Sequence, residues 1–314
     1  MVAGGTQSRW ALILAGGDGR RLRPLTRQIA GDDRPKQFCP VLGGETLLEQ
    51  TRRRVAALAP SGRVLVVVVR AHERFYAPLL ADVPSRCVVI QPENRGTAPA
   101  ILYGLLRLTA MTPVAPVALF PSDHYVSDDA AFIAHVEGAT EAVRARPDLV
   151  VLLGITPDTA EVEYGWIELG DPITGLGLWT LYRVLDFWEK PAPVLGEALR
   201  ARGCLWNSFV IVAYPSTLIA LCRRALPSLV DEFLRIRPAL TAPCESASIR
   251  QLYAYLPSRD FSQSVLATRP PSLAVLPVTG VAWCDLGEPR RVVAMRACLN
   301  AAPARPGRGG LMSA

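Results

Sequence analysis

Five short apolar runs punctuate the first half of the chain: Leu12–Leu14, Val64–Val69, Cys87–Ile90, Val117–Phe120 and Leu149–Leu153. Most are rich in β-branched residues, none alternates strictly with polar ones, and all are too brief for a buried helix. Each therefore predicts a strand covered on both faces. Helix-length stretches separate them at Thr46–Leu58, Ala98–Leu108 and Ala130–Ala145. Such alternation implies an α/β fold, a mostly parallel sheet flanked by helices. Ligands of these folds gather at the carboxyl ends of the strands, so chemistry-bearing residues belong just after the runs.

The second half is less regular. Glu163–Leu169, Tyr182–Trp188, Asn207–Tyr214 and Ser272–Val278 read as strands; Pro193–Arg202, Leu218–Ala225, Leu229–Ile236 and Pro289–Leu299 read as helices. The expected organisation is a disordered 1–8, one domain over 9–299 and a flexible Gly/Pro/Arg-rich tail at 300–314. Within the domain, a first half of about 9–155 is followed by a second of about 156–299.

Several classes of function drop out on composition. A chain that is 50% hydrophobic and 20% charged can bury enough apolar surface to fold. No apolar run reaches the roughly 20 residues that span a bilayer, so no membrane partner is expected. The run Trp10–Ala15 is too short for a signal peptide, and Asp18-Gly19-Arg20-Arg21 follows at once. Seven cysteines without a CxxC pair suit reduced core thiols of a cytoplasmic protein. The net charge of +6 is spread along the chain, which points to anionic small molecules rather than nucleic acid. Of 34 cationic side chains only Lys36 and Lys190 are lysines. An ammonium is a compact charge that can sit beside a phosphate where a guanidinium fork cannot.

The motifs follow the runs as expected. Ala15-Gly16-Gly17-Asp18-Gly19-Arg20-Arg21 comes directly after the first run. Its small residues let backbone N–H groups approach a phosphate or base, and an arginine there can neutralise triphosphate charge. No Gly-Lys-Ser/Thr follows, so it is not a P-loop. Gln91-Pro92-Glu93-Asn94-Arg95-Gly96-Thr97 is a polar loop feeding a helix N-terminus, a place of partial positive charge. Phe120-Pro121-Ser122-Asp123-His124 ends a buried strand on a carboxylate suited to Mg²⁺; His124 reads as a hydrogen-bonded loop histidine. Gly165, between large residues, allows close backbone approach to a ligand. Glu189 offers a carboxylate for hydroxyls, Lys190 an ammonium for a phosphate, and Asn207 an amide that both donates and accepts.

Taken together, the glycine loop and Arg34-Pro35-Lys36-Gln37-Phe38 resemble the sugar-phosphate nucleotidylyltransferases, especially the mannose-1-phosphate guanylyltransferases. The resemblance runs from about Trp10 to Leu299. It implies a Rossmann-like mixed sheet of the nucleotide-diphospho-sugar transferase, or GT-A-like, kind. It places the nucleotide against Ala15, Gly16, Gly17, Gln91, Asn94, Gly96 and Thr97, and its phosphates against Arg20 (or Arg21) and Lys36. The sugar phosphate falls to Gly165, Glu189, Lys190 and Asn207, and Mg²⁺ to Asp123 and, through Trp283-Cys284-Asp285-Leu286-Gly287, to Asp285. At the Gln91 position guanine-reading members often carry Glu, and the Gln carbonyl would accept from guanine instead. Phe209 stands where many members have glycine.

The implied reaction joins an NTP (GTP) to a sugar 1-phosphate (mannose 1-phosphate) and releases pyrophosphate. Glucose 1-phosphate with dTTP, UTP or ATP is the enzymic alternative, and a non-catalytic sugar-nucleotide-binding subunit the other. A homo-oligomer is compatible with all three.

Overall fold

The computed structural model describes residues 9–112 and 114–301. The expected disordered 1–8 and all but the start of the expected tail lie outside the described residues; Asn300 and Ala301 close the last helix, Pro289–Ala301.

All nine predicted strands form. The strands are β1 (Trp10–Leu14), β2 (Val64–Val69), β3 (Val88–Gln91), β4 (Val117–Pro121), β5 (Tyr125–Val126) and β6 (Val150–Ile155), then β7 (Gly165–Ile173), β8 (Leu181–Glu189), β9 (Leu205–Ala213), β10 (Leu273–Val278) and β11 (Trp283–Cys284). Nine of them make one sheet in the order β3-β2-β1-β4-β9-β6-β10-β8-β7. The neighbours from β3 to β4 are parallel, as are β6 and β10. Strand β9 runs antiparallel to both β4 and β6, and β8 to both β10 and β7. The sheet is thus mixed, with its parallel part where the apolar runs are most continuous.

That continuity has a simple cause. Alternate residues of β1 and β2 enter two different cores: Ala11, Ile13, Val66 and Val68 on one face, Leu12, Leu65 and Val67 on the other. Each side chain so buried contributes roughly 1.5–3 kcal/mol, and neither face tolerates a polar residue. Helices cover both sides. Leu47–Ala56 starts on a capping box, in which the Thr46 hydroxyl accepts from Glu49 N–H at 3.2 Å and Glu49 accepts from Thr46 N–H at 2.8 Å.

Some elements were not foreseen. Helices at Arg23–Ala30, Glu73–Leu79 and Glu245–Tyr253 add to those expected. Strands β5 and β11 pair as a separate two-stranded ribbon, with Trp283 opposite Val126 and Cys284 opposite Tyr125. The cysteines also differ from expectation: five are buried, but Cys244 and Cys298 are exposed and fill no core. No helix among the described residues is long and apolar enough to cross a membrane.

Candidate active site

A cleft of about 540 Å³ opens where the strand order reverses beside β1. The turn after β1 forms its floor. A Cβ on Gly16 would lie 2.8 Å from the Gln91 amide nitrogen, so glycine is what allows the end of β3 to approach this turn. The buried amide of Gln37 supports the turn from beneath, donating to Ala15 O at 3.1 Å and Gly17 O at 2.7 Å. Gly16 and Gly17 line the cleft. Ala15 does not, which corrects the expectation for that residue: it is fully buried, and its N–H is already given to Val67 O at 2.8 Å.

The two arginines of the loop separate. Arg21 donates to Glu163 at 2.8 Å, whereas the Arg20 side chain is 79% exposed and only 3.5 Å from Asp18. Of the two, Arg20 is the more exposed and the more loosely paired, and so the better placed to meet an anion. His72 lies 3.5 Å from Asp18 behind the loop, where burial lowers its pKa.

On the next wall, Gln91 departs from what was expected. Its carbonyl oxygen already accepts from the Tyr253 hydroxyl at 3.0 Å, which leaves the amide N–H₂ as the group facing Gly16. Asn94 and Gly96 line the cleft, with Asn94 accepting from Gly96 N–H at 3.0 Å. Thr97 lines it too, yet its hydroxyl is committed: it donates to Asp260 at 3.1 Å and accepts from Phe261 N–H at 2.7 Å. Asp260 and Tyr253 thereby join the site. They sit in a stretch without motif or strong periodicity, so nothing in the sequence marked them.

Asp123 and Asp285 are 162 residues apart in the chain and reach the same cleft because of the β5–β11 ribbon. Asp123 precedes β5, Asp285 follows β11, and antiparallel pairing sets the two ends together. Lys36 lies between them, 8% exposed. Its ammonium is 3.3 Å from Asp123 and donates to the backbone carbonyls of Asp285 and Leu286. Leu286 has φ +50, a left-handed backbone found at few non-glycine residues. Arg291 holds the outer side of Asp285 at 2.5 Å, and Gly287 N–H donates to the same oxygen at 2.8 Å. Burial alone would raise the Asp285 pKa; Lys36, His124 and Arg291 hold it below the ordinary carboxylate value. His124 is pushed down by burial, and its Nδ1 has no partner, unlike the hydrogen-bonded loop histidine expected.

This donor set can be tested against Mg²⁺. The ion takes one or two carboxylates and completes its octahedron with phosphate and water oxygens. Two carboxylates lining one cleft fit that habit, with Asp285 Oδ1 already held by Arg291 and Gly287 and its other oxygen remaining. Among the described residues no group of three His, Cys, Asp or Glu forms the closed cage that a structural zinc ion takes.

The opposite wall unites three separate motifs. Gly165 pairs with Glu189 across β7 and β8, while Trp166 pairs with Trp206 across β7 and β9, bringing Asn207 alongside. A Cβ on Gly165 would lie 2.9 Å from the Glu189 carboxylate and 3.3 Å from Asn207 Cβ. Burial, assisted by Asp260 and opposed by Lys190, pushes the Glu189 carboxyl up to about 7. Lys190, at φ +51, extends to 4.0 Å from Glu163. Every residue expected in the site other than Ala15 therefore lines this one cleft.

The nucleotidyl transferase family model matches residues 10–299. The xanthan biosynthesis protein XanB of Xanthomonas campestris pv. campestris (strain B100) is 35% identical over 228 residues, 70% of this chain and 45% of that one. Mannose-1-phosphate guanylyltransferase 2 of Escherichia coli O157:H7 is 27% identical over 88% of this chain and 58% of its own. The chain thus spans about half the length of the curated relatives it matches. A solved structure titled mannose-1-phosphate geranyltransferase, from Thermus thermophilus, is 34% identical with a TM-score of 0.77, covering 91% of this chain and 79% of that one. Because the family model matches residues 10–299, nearly every described residue, the chain belongs to the nucleotidyl transferase family.

Proposed function

We propose that this chain transfers a nucleotidyl group from an NTP, GTP, to a sugar 1-phosphate, mannose 1-phosphate, releasing pyrophosphate. The observation that carries the reading is the convergence of Asp123, Asp285 and Lys36 between a glycine turn and the Gly165–Glu189–Asn207 wall. Relatives named mannose-1-phosphate guanylyltransferase support the choice of base and sugar. The Gln91 amide hydrogens would meet a base carbonyl, as guanine O6 provides. On this reading the protein acts in the cytoplasm.

The chemistry is an in-line displacement at the α-phosphorus. A phosphate oxygen of the sugar 1-phosphate forms the new P–O bond, and the bond from the α-phosphorus to the bridging oxygen breaks as pyrophosphate departs. A phosphate monoester is already anionic at neutral pH, so no side chain need remove a proton. Catalysis is positioning and charge neutralisation. Gly16 and Gly17 present backbone N–H groups to the nucleotide, and Arg20 and Lys36 balance its phosphates. Lys190 and Asn207 hold the sugar phosphate, while Glu189 accepts from sugar hydroxyls. Mg²⁺, held by Asp123 and Asp285, would supply further neutralisation of phosphate charge.

The test is pyrophosphate release from GTP, ATP, UTP and dTTP, each with mannose 1-phosphate and glucose 1-phosphate, in the presence of Mg²⁺. Release with GTP and mannose 1-phosphate well above the other pairs is expected. A different preferred pair would replace the substrates named here. Nucleotide binding without release from any pair would turn the reading into that of a binding subunit.

A further inference from the structure

The end of the cleft beside β9 contains a local irregularity. Between β6 and β9 the register slips: Leu152 is opposite Ile211, but Gly154 is opposite Asn207. One residue of β6 therefore faces three of β9, Ser208, Phe209 and Val210. Ser208 mends the broken ladder with its side chain, donating to Leu153 O at 2.7 Å and accepting from Val210 N–H at 3.1 Å. Asn207 accepts from Phe209 N–H at 3.0 Å, which leaves its amide N–H₂ for a ligand. Bulges of this kind re-aim side chains next to active sites.

At the bulge, Phe209 has φ +60. A Cβ is disfavoured in that conformation and glycine is not. The ring is only partly buried; it lines the cleft beside Asn207 and Glu189 and meets Phe261 edge-on, with centroids 6.2 Å apart. Phe261 directly follows Asp260, the residue that receives the Thr97 hydroxyl. The ring therefore adds an apolar surface to the cleft two residues from Asn207. An aromatic side chain kept where the backbone favours glycine points to a function for the ring itself.

We propose that Phe209 determines sugar specificity, closing the sugar end of the cleft so that a hexose bearing only hydroxyls fits and one bearing an acylamino group does not. The inference rests on the reading above that the sugar phosphate lies against Gly165, Glu189 and Asn207. A rigid ring can reject added bulk, whereas a hydroxyl-sized change in an apolar pocket is weakly sensed.

The experiment compares wild type with Phe209→Gly and Phe209→Ala. Binding is titrated with two matched pairs, mannose 1-phosphate against N-acetylmannosamine 1-phosphate and glucose 1-phosphate against N-acetylglucosamine 1-phosphate. Wild type should favour the hydroxyl member of the pair it binds by about tenfold or more, and both variants should reduce that ratio to about threefold or less. GTP affinity should stay unchanged. The glycine variant should melt above the alanine variant, because only glycine relaxes the backbone. Folded variants with the wild-type ratio, or a wild type that does not discriminate, would overturn the proposal while leaving the parent reading intact. Because binding is measured, absence of turnover would sink only the reaction. Absence of binding by every sugar 1-phosphate would remove both.

Discussion

Lys190 and Glu189 adjoin at the end of β8 but meet different physics. Lys190 is 45% exposed, and among the described residues its one ion-pair partner is Glu163, at 4.0 Å, which Arg21 also holds; the neighbouring Glu189 carboxyl, already pushed up by burial, can take up a proton when the ammonium is lost. Lys190→Ala should therefore leave the melting temperature nearly unchanged and raise the KM for sugar phosphate by about 100-fold, the loss of a charge-assisted contact. The KM for the nucleotide should change little; equal loss on both substrates would show that Lys190 does not sit on the sugar side. Glu189 is the opposite case, a carboxyl whose pKa burial and Asp260 raise from 4.5 to about 7. The folded protein holds that proton more tightly than the unfolded chain, so the Glu189 contribution to stability is lost as pH rises from about 4.5 through about 7. Glu189→Gln removes this loss. The variant should gain melting temperature over wild type at pH 8 and show a smaller gain at pH 5. A gain independent of pH would mean that Glu189 titrates normally. Both residues were legible in the sequence, Lys190 because lysine is so scarce in this chain. The raised pKa of Glu189 was not, because it depends first on burial in the folded cleft and then on Asp260, 71 residues further on.

At the scale of elements, legibility followed burial. Val64–Val69 was found to the residue, since a run apolar on both faces has one interpretation. The helix Glu245–Tyr253, Glu-Ser-Ala-Ser-Ile-Arg-Gln-Leu-Tyr, buries Glu245, Ile249, Leu252 and Tyr253 on one face, but a stripe that short and begun by a glutamate stands out little in the sequence; it carries the Tyr253 hydroxyl that takes up the Gln91 carbonyl. The β5–β11 ribbon has two residues per strand, too few for any pattern, although it joins the carboxylates. Residues 207–210 lay inside a strand expected over Asn207–Tyr214 and found over Leu205–Ala213, but strand propensity cannot reveal a bulge. That bulge makes its own prediction. Ser208 is fully buried, and its hydroxyl serves both Leu153 O and Val210 N–H. Ser208→Ala leaves two buried backbone groups without partners, at a cost of about 2–4 kcal/mol. Urea unfolding should show that loss in the midpoint, with the slope unchanged. The same variant should weaken sugar-phosphate binding more than nucleotide binding, because Asn207 is next to the released segment.

For the molecule as a whole, the two functional halves are one sheet. Strand β9 comes from the second half, near 156–299, but lies between β4 and β6 of the first. It supplies ladder partners to both, from Val117 opposite Ala213 to Ile155 opposite Trp206. Removing it would expose the facing edges of β4 and β6, whose residues are nearly all apolar and buried. Such edges are templates for pairing with other chains. Sequence order suggests a boundary near residue 155; sheet order offers none, because contacts on both sides of the site depend on the same inserted strand. Residues 9–155 expressed alone should therefore aggregate, whereas the same segment co-expressed with 156–301 should be recovered as a soluble pair. A dispersed, monomeric 9–155 with a cooperative melting transition would show that the first half folds without β9. In that event the cleft would be a junction between two independently folded units, and Lys36 would meet Asp285 only after docking. With the sheet continuous, the glycine turn, both carboxylates and the sugar wall are set in one folding event, so losing β9 as a whole should abolish nucleotide and sugar binding together.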